Sequence, residues 1–189
     1  MKSMGKLLAA IIAVMCPGCF PIAESGDWKT SVNRQVNQLG YRNWIVISEA
    51  SFPAHSRAGV HQVNADAEIP EVVDYVLNAL EQTQNVRPKV YLTREMRAVE
   101  NNFAPGIDQM RQRIAHSLHG HEATELDQQS LITLLESANQ SYDVLVVRTP
   151  TALPYTSVFM ELQPGYWDAE SEDRLRERIR REQMEKLAR

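Results

Sequence analysis

The sequence predicts an α/β fold in which one central sheet is flanked by helices on both faces. Short apolar runs with the length of buried strands alternate with segments whose apolar residues recur at helical spacing. This alternation is typical of a sheet covered on both sides. The chain has 189 residues, 43% of them apolar, which is enough for one core and therefore for one domain. The predicted strands are 44–47, 89–92, 143–147 and 157–162.

The first predicted helix spans residues 28–39. It places Val32, Val36 and Leu39 on one side, and Gly40 is a natural stop. The other helices are predicted at 71–82, 108–118 and 130–138, with strand character near 60–63 inside the long loop 52–70.

The amino terminus has the pattern of a secretory signal peptide. Lys2 and Lys6 precede the apolar stretch 7–15. The small residues Ala23 and Ser25 then occupy the two positions that a signal peptidase recognises. The apolar stretch is too short to span a bilayer. We therefore expect residues 1–25 to be removed and the protein to be exported, either to a periplasm or outside the cell.

A lipoprotein modified at Cys16 or Cys19 is the less favoured alternative, because Met15 and the Cys-Pro-Gly before Cys19 fit a lipidation signal poorly. Removal of the signal would take both cysteines, so the mature chain could form no disulfide. It would also take two lysines and one glutamate, which changes the formal charge from −4 to −5. A mildly acidic chain without a basic stripe is a poor candidate for nucleic-acid binding. We expect no membrane association after cleavage.

Residues 167–189 are almost entirely charged and form a predicted extension beyond the domain at 26–166. Opposite charges three and four residues apart indicate a solvent-exposed helix. A helix that binds a partner is the alternative.

Polar side chains follow two of the predicted strands. Glu49 ends the first, and in α/β sheets ligands collect at the carboxyl ends of strands. Arg148, Tyr155 and Ser157 lie between the last two strands. If these strands are neighbours, a carboxylate, a phenol and a hydroxyl converge on a site suited to a polyol. A helix cap or a surface charge is the alternative role for Glu49.

Two stretches carry a family resemblance. The stretch "LGYRNWIVISEASFPAHSRAGVHQVNADAEIPEVVDYVLNAL" resembles the amino-terminal half of the D-ribose pyranase and L-fucose mutarotase family, the RbsD/FucU family. Sequences of that family typically contain, in this order, Gly-His, an apolar strand that ends in Asp-Ala, and a loop similar to Phe-Pro-Ala-His. The stretch "VVRTPTALPYTSVFMELQPG" resembles its closing segment, where a Tyr-x-Asn motif precedes the last strand. The resemblance covers about residues 28–165.

The resemblance implies an isomerase that interconverts the ring forms or anomers of a reducing monosaccharide. General acid-base groups can move the two protons of this reaction without a metal or a cofactor. It also implies a ring-shaped homo-oligomer, commonly a decamer, in which a neighbouring subunit completes each site.

The chain departs from the family pattern at the site itself. The catalytic histidine of the family falls on Tyr41, its sugar-binding aspartate on Glu49 and its asparagine on Ser157, whereas Tyr155 is kept. A phenol is mostly protonated at neutral pH, so Tyr41 could donate a proton but would be a slow base. A further sugar contact of the family falls near 126–127.

His55 follows Phe52-Pro53, and we expect it to hold the loop over the substrate and to contact it. Two functions follow from the resemblance: a mutarotase with an altered acid-base set, or a protein that binds a sugar or another small polar ligand without catalysis. A third alternative is a metal protein that uses His116, His119 and His121. We expect no metal site, because no carboxylate partner is evident near them.

Overall fold

The computed structural model describes residues 27–54 and 57–187. The expected signal peptide at 1–25 and His55 lie outside the described residues. Within the described residues, no helix combines the length and the apolar character needed to cross a membrane.

In the part of the chain that the structure describes, six helices and six strands form the fold. Their order is α1 (Trp28–Val36), β1 (Trp44–Ser48), β2 (Val60–Asn64), α2 (Ile69–Thr83), β3 (Val86–Thr93), α3 (Arg94–Ala98), α4 (Ile107–Ser117), β4 (Ala123–Leu126), α5 (Gln128–Ala138), β5 (Val144–Arg148), β6 (Val158–Pro164) and α6 (Ala169–Leu187).

The predicted α/β class is confirmed, and each predicted helix and strand is present. Two short elements escaped prediction, α3 and β4. Helix α3 has five residues and buries only Met96. Strand β4 has four residues, none fully buried. Neither is long or apolar enough to show a period in the sequence.

All strands form one sheet in the order β2-β5-β1-β6-β3-β4. Strand β5 pairs in parallel with β1 and β2, and β3 pairs in parallel with β4. Strand β6 runs antiparallel to both of its neighbours, β1 and β3. Five strands therefore end at one edge of the sheet, which we call the carboxyl edge, and β6 begins there.

Each face of the sheet carries its own core. Ile45 and Ile47 of β1 point into a cluster with α1, α2 and α4. Trp44 and Val46, on the opposite face, pack with Leu131 and other residues of α5. All five residues of β1 are buried, as expected for a strand covered on both faces. Full burial of each large apolar side chain contributes about 1.5–3 kcal/mol.

Helix α6 lies outside both cores and is stabilised along its own surface. Arg174 lies 3.3 Å from Glu170, Arg176 lies 2.6 Å from Glu172, and Arg181 lies 2.9 Å from Glu177. Such i,i+4 pairs each contribute only about 0.2–0.5 kcal/mol. The extension is therefore the exposed, charged helix that the sequence indicates.

Gly165 joins the extension to the domain. Its backbone N–H donates a hydrogen bond to the carbonyl of Asn85 at 2.8 Å. A Cβ atom at this position would lie 2.4 Å from the carbonyl oxygen of Gln84. Since that neighbour is backbone, it cannot move aside cheaply, and the position accepts only glycine without distortion.

We predict that Gly165→Ala lowers the free energy of unfolding by about 1–3 kcal/mol, the usual cost of forcing an extra carbon into a packed site. Urea titration followed by circular dichroism measures this change. Gly40→Ala is the matched control, because a Cβ there meets only Asn43 Oδ1 at 3.8 Å. An equal effect of the two substitutions would contradict the packing explanation.

Candidate functional site

The carboxyl edge carries a row of polar side chains. The strand registers pair Asn64 with Arg148, Arg148 with Ser48, and Thr93 with Leu126. Because Ile47 and Leu92 both pair with Val158, the same registers place Ser157 between Ser48 and Thr93. From one side of the sheet to the other, the row consists of Asn64, Arg148, Ser48, Ser157 and Thr93, and the apolar Leu126 ends it.

This row lies on the α5 side of the sheet. Val46, Val146, Tyr91 and Phe159 belong to the core under α5, and each lies two residues from a member of the row. Side chains two residues apart in a strand share a face. The polar side chains thus follow directly on the apolar core, where the strands end.

Ser157 lies at the centre of the row and is hydrogen-bonded to Glu49, the residue that follows β1. The Ser157 hydroxyl donates a hydrogen bond to Oε2 of Glu49 and accepts one from the Glu49 backbone N–H at 3.3 Å. Glu49 is 8% exposed and Ser157 3%. Burial raises the pKa of the Glu49 carboxyl, although backbone N–H groups of Glu49 and Ser157 act in the opposite direction. The site therefore holds a carboxyl group that gains and loses its proton closer to neutrality than a surface glutamate.

The turn after Glu49 is held against the end of β5. Thr149 Oγ1 donates to the carbonyl of Ser48 at 2.8 Å, and the N–H of Ala50 donates to the carbonyl of Thr151 at 2.9 Å. The guanidinium of Arg148 donates through Nε to the Ala50 carbonyl at 2.9 Å. These bonds fix the backbone on both sides of Glu49, so its carboxyl has little freedom to turn away.

Tyr155 is held at the same edge by its backbone. Its carbonyl accepts a hydrogen bond from Thr93 Oγ1 at 2.8 Å. Its φ of 62° lies in the left-handed region, which is unusual for a residue other than glycine. The side chain is 37% exposed. The loop before β6 thus holds Tyr155 at the carboxyl edge, two residues before Ser157, with its side chain partly exposed.

Tyr41 lies at the opposite edge of the sheet. It belongs to the turn before β1 and is 54% exposed. All of β1 separates it from Glu49, and a strand of that length spans at least about 13 Å. One chain therefore brings Glu49, Tyr155 and Ser157 together but leaves Tyr41 apart.

The polar group predicted near 126–127 has a structural role in this chain. Asp127 caps α5: its carboxylate accepts from the backbone N–H of Ser130 at 2.9 Å and from the Ser130 hydroxyl at 2.7 Å. The hydroxyl first, and then the backbone N–H, lower the pKa of Asp127. Its carboxylate oxygens are thus already committed within α5.

Ser48 and Thr93 belong to the site, yet the sequence patterns do not select them. The Ser48 hydroxyl is buried and has no hydrogen-bond partner among the described residues. A serine or threonine at a strand end is common and carries no signal by itself. Only the strand order shows that these hydroxyls flank Ser157.

The three histidines of the metal hypothesis do not converge. Nε2 of His119 lies 2.6 Å from Asp74, and Nε2 of His121 lies 3.8 Å from Glu81. His116 lines a separate cleft beside Arg113. In the described ranges, no three histidine, cysteine or carboxylate side chains are close enough to hold a metal ion.

A cleft of about 860 Å³ lies between α1, α2 and α4, and its lining includes Asp66 and Ala67 from the segment after β2. Trp28 and Tyr75 line it with an edge-to-face contact of 5.1 Å between ring centroids. Lys29 Nζ lies over both rings, and Arg113 at its rim is paired with Glu68 at 2.5 Å. Among the described residues, the cleft has no buried carboxyl comparable to Glu49, so the carboxyl edge remains the better candidate for chemistry.

We predict that Glu49→Gln raises the free energy of unfolding at neutral pH. Since folding raises the pKa of Glu49, this group's contribution is fully present below the pH where the unfolded carboxyl titrates, about 4.3. The contribution is lost as pH rises through the folded pKa, because the buried group must then ionise. Glutamine stays neutral and avoids that loss.

Urea titrations from pH 4 to pH 8 measure this effect. The difference between Glu49→Gln and the wild type should be small at pH 4 and grow with pH. The exposed Glu136→Gln is the control for removing one negative charge. A variant less stable than the wild type at pH 7 would show instead that the ionised carboxylate stabilises the fold.

Two solved structures are similar to this chain, and the first of them shows the same fold. RbsD of Bacillus subtilis, solved with D-ribose, is 15% identical, with a TM-score of 0.51 over 70% of this chain and 90% of that chain. The fucose mutarotase of Streptococcus pneumoniae, solved with L-fucose, is 17% identical, with a TM-score of 0.46 over 68% of this chain and 87% of that chain. No curated protein matches the sequence.

A family model matches residues 29–163, which include all six strands except the last residue of β6. The match begins in α1 and ends before the charged extension. The chain belongs to the RbsD / FucU transport protein family.

Proposed function

We propose that the protein interconverts ring forms or anomers of a reducing monosaccharide by acid-base catalysis, without a metal or a cofactor. The single observation that carries the proposal is the buried Glu49–Ser157 pair at the carboxyl edge, where Tyr155 also lies. Membership of the family supports this assignment. A protein that binds a sugar or another small polar ligand at the same place, without catalysis, is the alternative.

The reaction needs one proton removed and one supplied. The anomeric hydroxyl loses its proton, the bond between the anomeric carbon and the ring oxygen breaks, and the ring oxygen gains a proton. The open-chain carbonyl then recloses on either face. A carboxyl whose pKa is raised toward neutrality is suited to exchange protons with a sugar hydroxyl, and burial has this effect on Glu49.

The neighbouring groups suit a polyol. Ser48, Ser157 and Thr93 place hydroxyls in one row. Of these, Ser157 already donates to Glu49 and Thr93 to the Tyr155 carbonyl. Tyr155 offers a partly exposed aromatic side chain at the same edge. The unpartnered hydroxyl of Ser48 is a buried polar atom, and such atoms are normally satisfied by a protein group, water or a ligand. We assign substrate binding to Glu49, Ser157 and Tyr155, and to His55 in the adjacent loop.

For Tyr41 to act together with Glu49, the two residues must come from different subunits. Its exposed position at the opposite edge prevents it from reaching Glu49 of its own chain. We propose a ring-shaped homo-oligomer, a decamer by resemblance to the family, in which Tyr41 of one subunit donates a proton beside Glu49 of the next. Export after removal of residues 1–25 is also part of the proposal, and the mass of the mature protein purified from its native source tests it.

We predict different effects for the two groups. Glu49→Gln should weaken sugar binding by about 1.5–3 kcal/mol, the range for a hydrogen bond to a charged group. Tyr41→Phe should leave affinity nearly intact but slow anomer exchange by a factor on the order of 100 to 10,000. Exchange NMR with a panel of reducing sugars measures the rates, and calorimetry measures the affinities.

Tyr41→His separates the enzyme from the binding protein. It should maintain or raise the exchange rate near neutral pH, where imidazole titrates. If the wild type exchanges none of the sugars while Tyr41→His does, the natural protein binds a sugar without catalysis. If neither binds or exchanges any sugar, the proposed function is wrong.

A mixing experiment tests the shared site. Tyr41→Phe and Glu49→Gln homo-oligomers should each be slow, because every site lacks one group. Subunits mixed under mild denaturation and then reassembled should regain part of the wild-type rate, since some sites combine an intact Tyr41 with an intact Glu49. If the mixed oligomers exchange anomers no faster than the two separate homo-oligomers, Tyr41 and Glu49 of different subunits do not form a shared site.

A further inference from the structure

The carboxy-terminal extension forms a cleft with the edge of the sheet that holds Tyr41. We call it the arginine cleft, and it has a volume of about 460 Å³. It lies at the opposite end of β1 from Glu49. Its lining includes two aromatic rings, three guanidinium groups and two carboxylates: Tyr41, Trp167, Arg42, Arg87, Arg176, Asp168 and Glu172.

Arg42 is held in place although it is exposed. Its guanidinium lies 5.1 Å from the Tyr41 ring centroid and 5.8 Å from that of Tyr142, and its Nη1 donates to the Tyr142 hydroxyl at 2.9 Å. Hydrogen bonding to Tyr142, and then to Tyr41, raises the pKa of Arg42. The backbone φ of 69° is in the left-handed region. A permanent positive charge is thus positioned directly beside the Tyr41 ring.

Arg87 contributes a second cation from β3. Its Nη2 donates to the carbonyl of Trp167 at 3.3 Å, which ties the extension to the sheet. Its Nε is buried and has no partner among the described residues. A guanidinium has five N–H donors. Arg87 therefore keeps N–H donors, the one on Nε among them, that could bind a ligand.

The cleft carries one net positive charge. Its three arginines face two carboxylates, those of Asp168 and Glu172. Glu172 accepts from the indole Nε1 of Trp167 at 2.8 Å and from Nε of Arg176 at 2.6 Å, and Asp168 accepts from the N–H of Ser171 at 2.6 Å. Both carboxylates are therefore occupied within the extension, and the excess charge remains with the arginines.

We propose that the arginine cleft binds the carboxylate of an anionic monosaccharide, so that the substrate is a uronic acid; this rests on the proposed function. A guanidinium matches a carboxylate in bidentate geometry. The rings of Tyr41 and Trp167 offer apolar surface to the C–H face of a sugar. One excess positive charge balances a singly charged uronate better than a doubly charged phosphate.

The position of the cleft connects it to the proposed reaction. Tyr41 lines the cleft, and in the proposed oligomer the same Tyr41 approaches Glu49 of a neighbouring subunit. A sugar at that junction would have its anomeric carbon near Glu49 and its carboxylate near Arg42. The family match ends at residue 163, so Trp167 and Arg176 come from the extension. The extension then acts as a specificity element for the acidic group.

Calorimetry with the full chain tests the inference. D-galacturonate and D-glucuronate should bind at least about tenfold more tightly than D-galactose and D-glucose. Arg42→Gln should weaken binding of the uronates at least about tenfold more than binding of the neutral sugars and so remove that preference. Arg180→Gln removes the same charge from the exposed part of α6 outside the cleft and should change neither. D-glucose 6-phosphate is included to separate carboxylate from phosphate.

Equal binding of acidic and neutral sugars by the wild type would overturn the inference, as would equal effects of Arg42→Gln and Arg180→Gln. Tighter binding of the phosphate would overturn the uronic acid assignment. If circular dichroism shows that Arg42→Gln is unfolded, Arg176→Gln on exposed α6 replaces it, with the same expected loss. Uronate binding that depends on the cleft without anomer exchange would refute the proposed function alone, whereas exchange of neutral sugars only would refute this inference alone.

Discussion

Strand β6 runs antiparallel between β1 and β3, so its first residues lie at the edge where the other five strands end. This reversal places Ser157 against Glu49 and brings the carbonyl of Tyr155 to Thr93. A parallel strand in the same position would place those residues at the far edge of the sheet. The Glu49–Ser157 hydrogen bond and the polar row around it therefore depend on the direction of a single strand.

The same arrangement places an ionisable group where the fold alone would favour an apolar one. Burial opposes ionisation of Glu49, and the hydroxyl of Ser48 next to it lacks a partner within the described chain. Buried polar groups that are incompletely satisfied destabilise a protein. Such groups at the carboxyl ends of strands in an α/β sheet are typical of functional sites, where stability is reduced in favour of function. The extensive apolar cores on both faces offset this loss.

The two polar regions of the molecule lie at opposite edges of the sheet. The carboxyl edge has the buried carboxyl, the hydroxyls and the ring of Tyr155, whereas the opposite edge has Tyr41, Arg42 and the arginine cleft. The acid-base pair that we propose, Glu49 and Tyr41, is therefore divided between the two regions. Assembly of several copies would join them, and the extension would then contribute to a site built mostly from the family domain.

Local patterns were sufficient to predict the elements that bury many apolar residues. Helix α2 has apolar residues at helical spacing, and β1 is a continuous apolar run, because one face of the helix and both faces of the strand are buried. Local patterns also identified Glu49, Tyr155 and Ser157 as neighbours, once adjacent strands were assumed. The short helix α3 and the outermost strand β4 were not predicted, because each buries too little apolar surface to leave a pattern in the sequence. The sequence thus determined the class of fold, the family and the polar residues at the ends of β1 and β6.

Tertiary structure alone decided which of those residues meet. Glu49 and Ser157 are 108 positions apart, and Thr93 and Tyr155 are 62 apart, so their contacts depend on strand order and register. Ser48 and Thr93 became part of the site for the same reason. Only seven residues lie between Tyr41 and Glu49, yet the structure keeps them apart because β1 runs between them. The physical reason is that an extended strand carries its two ends to opposite edges of the sheet, while pairing brings distant segments together.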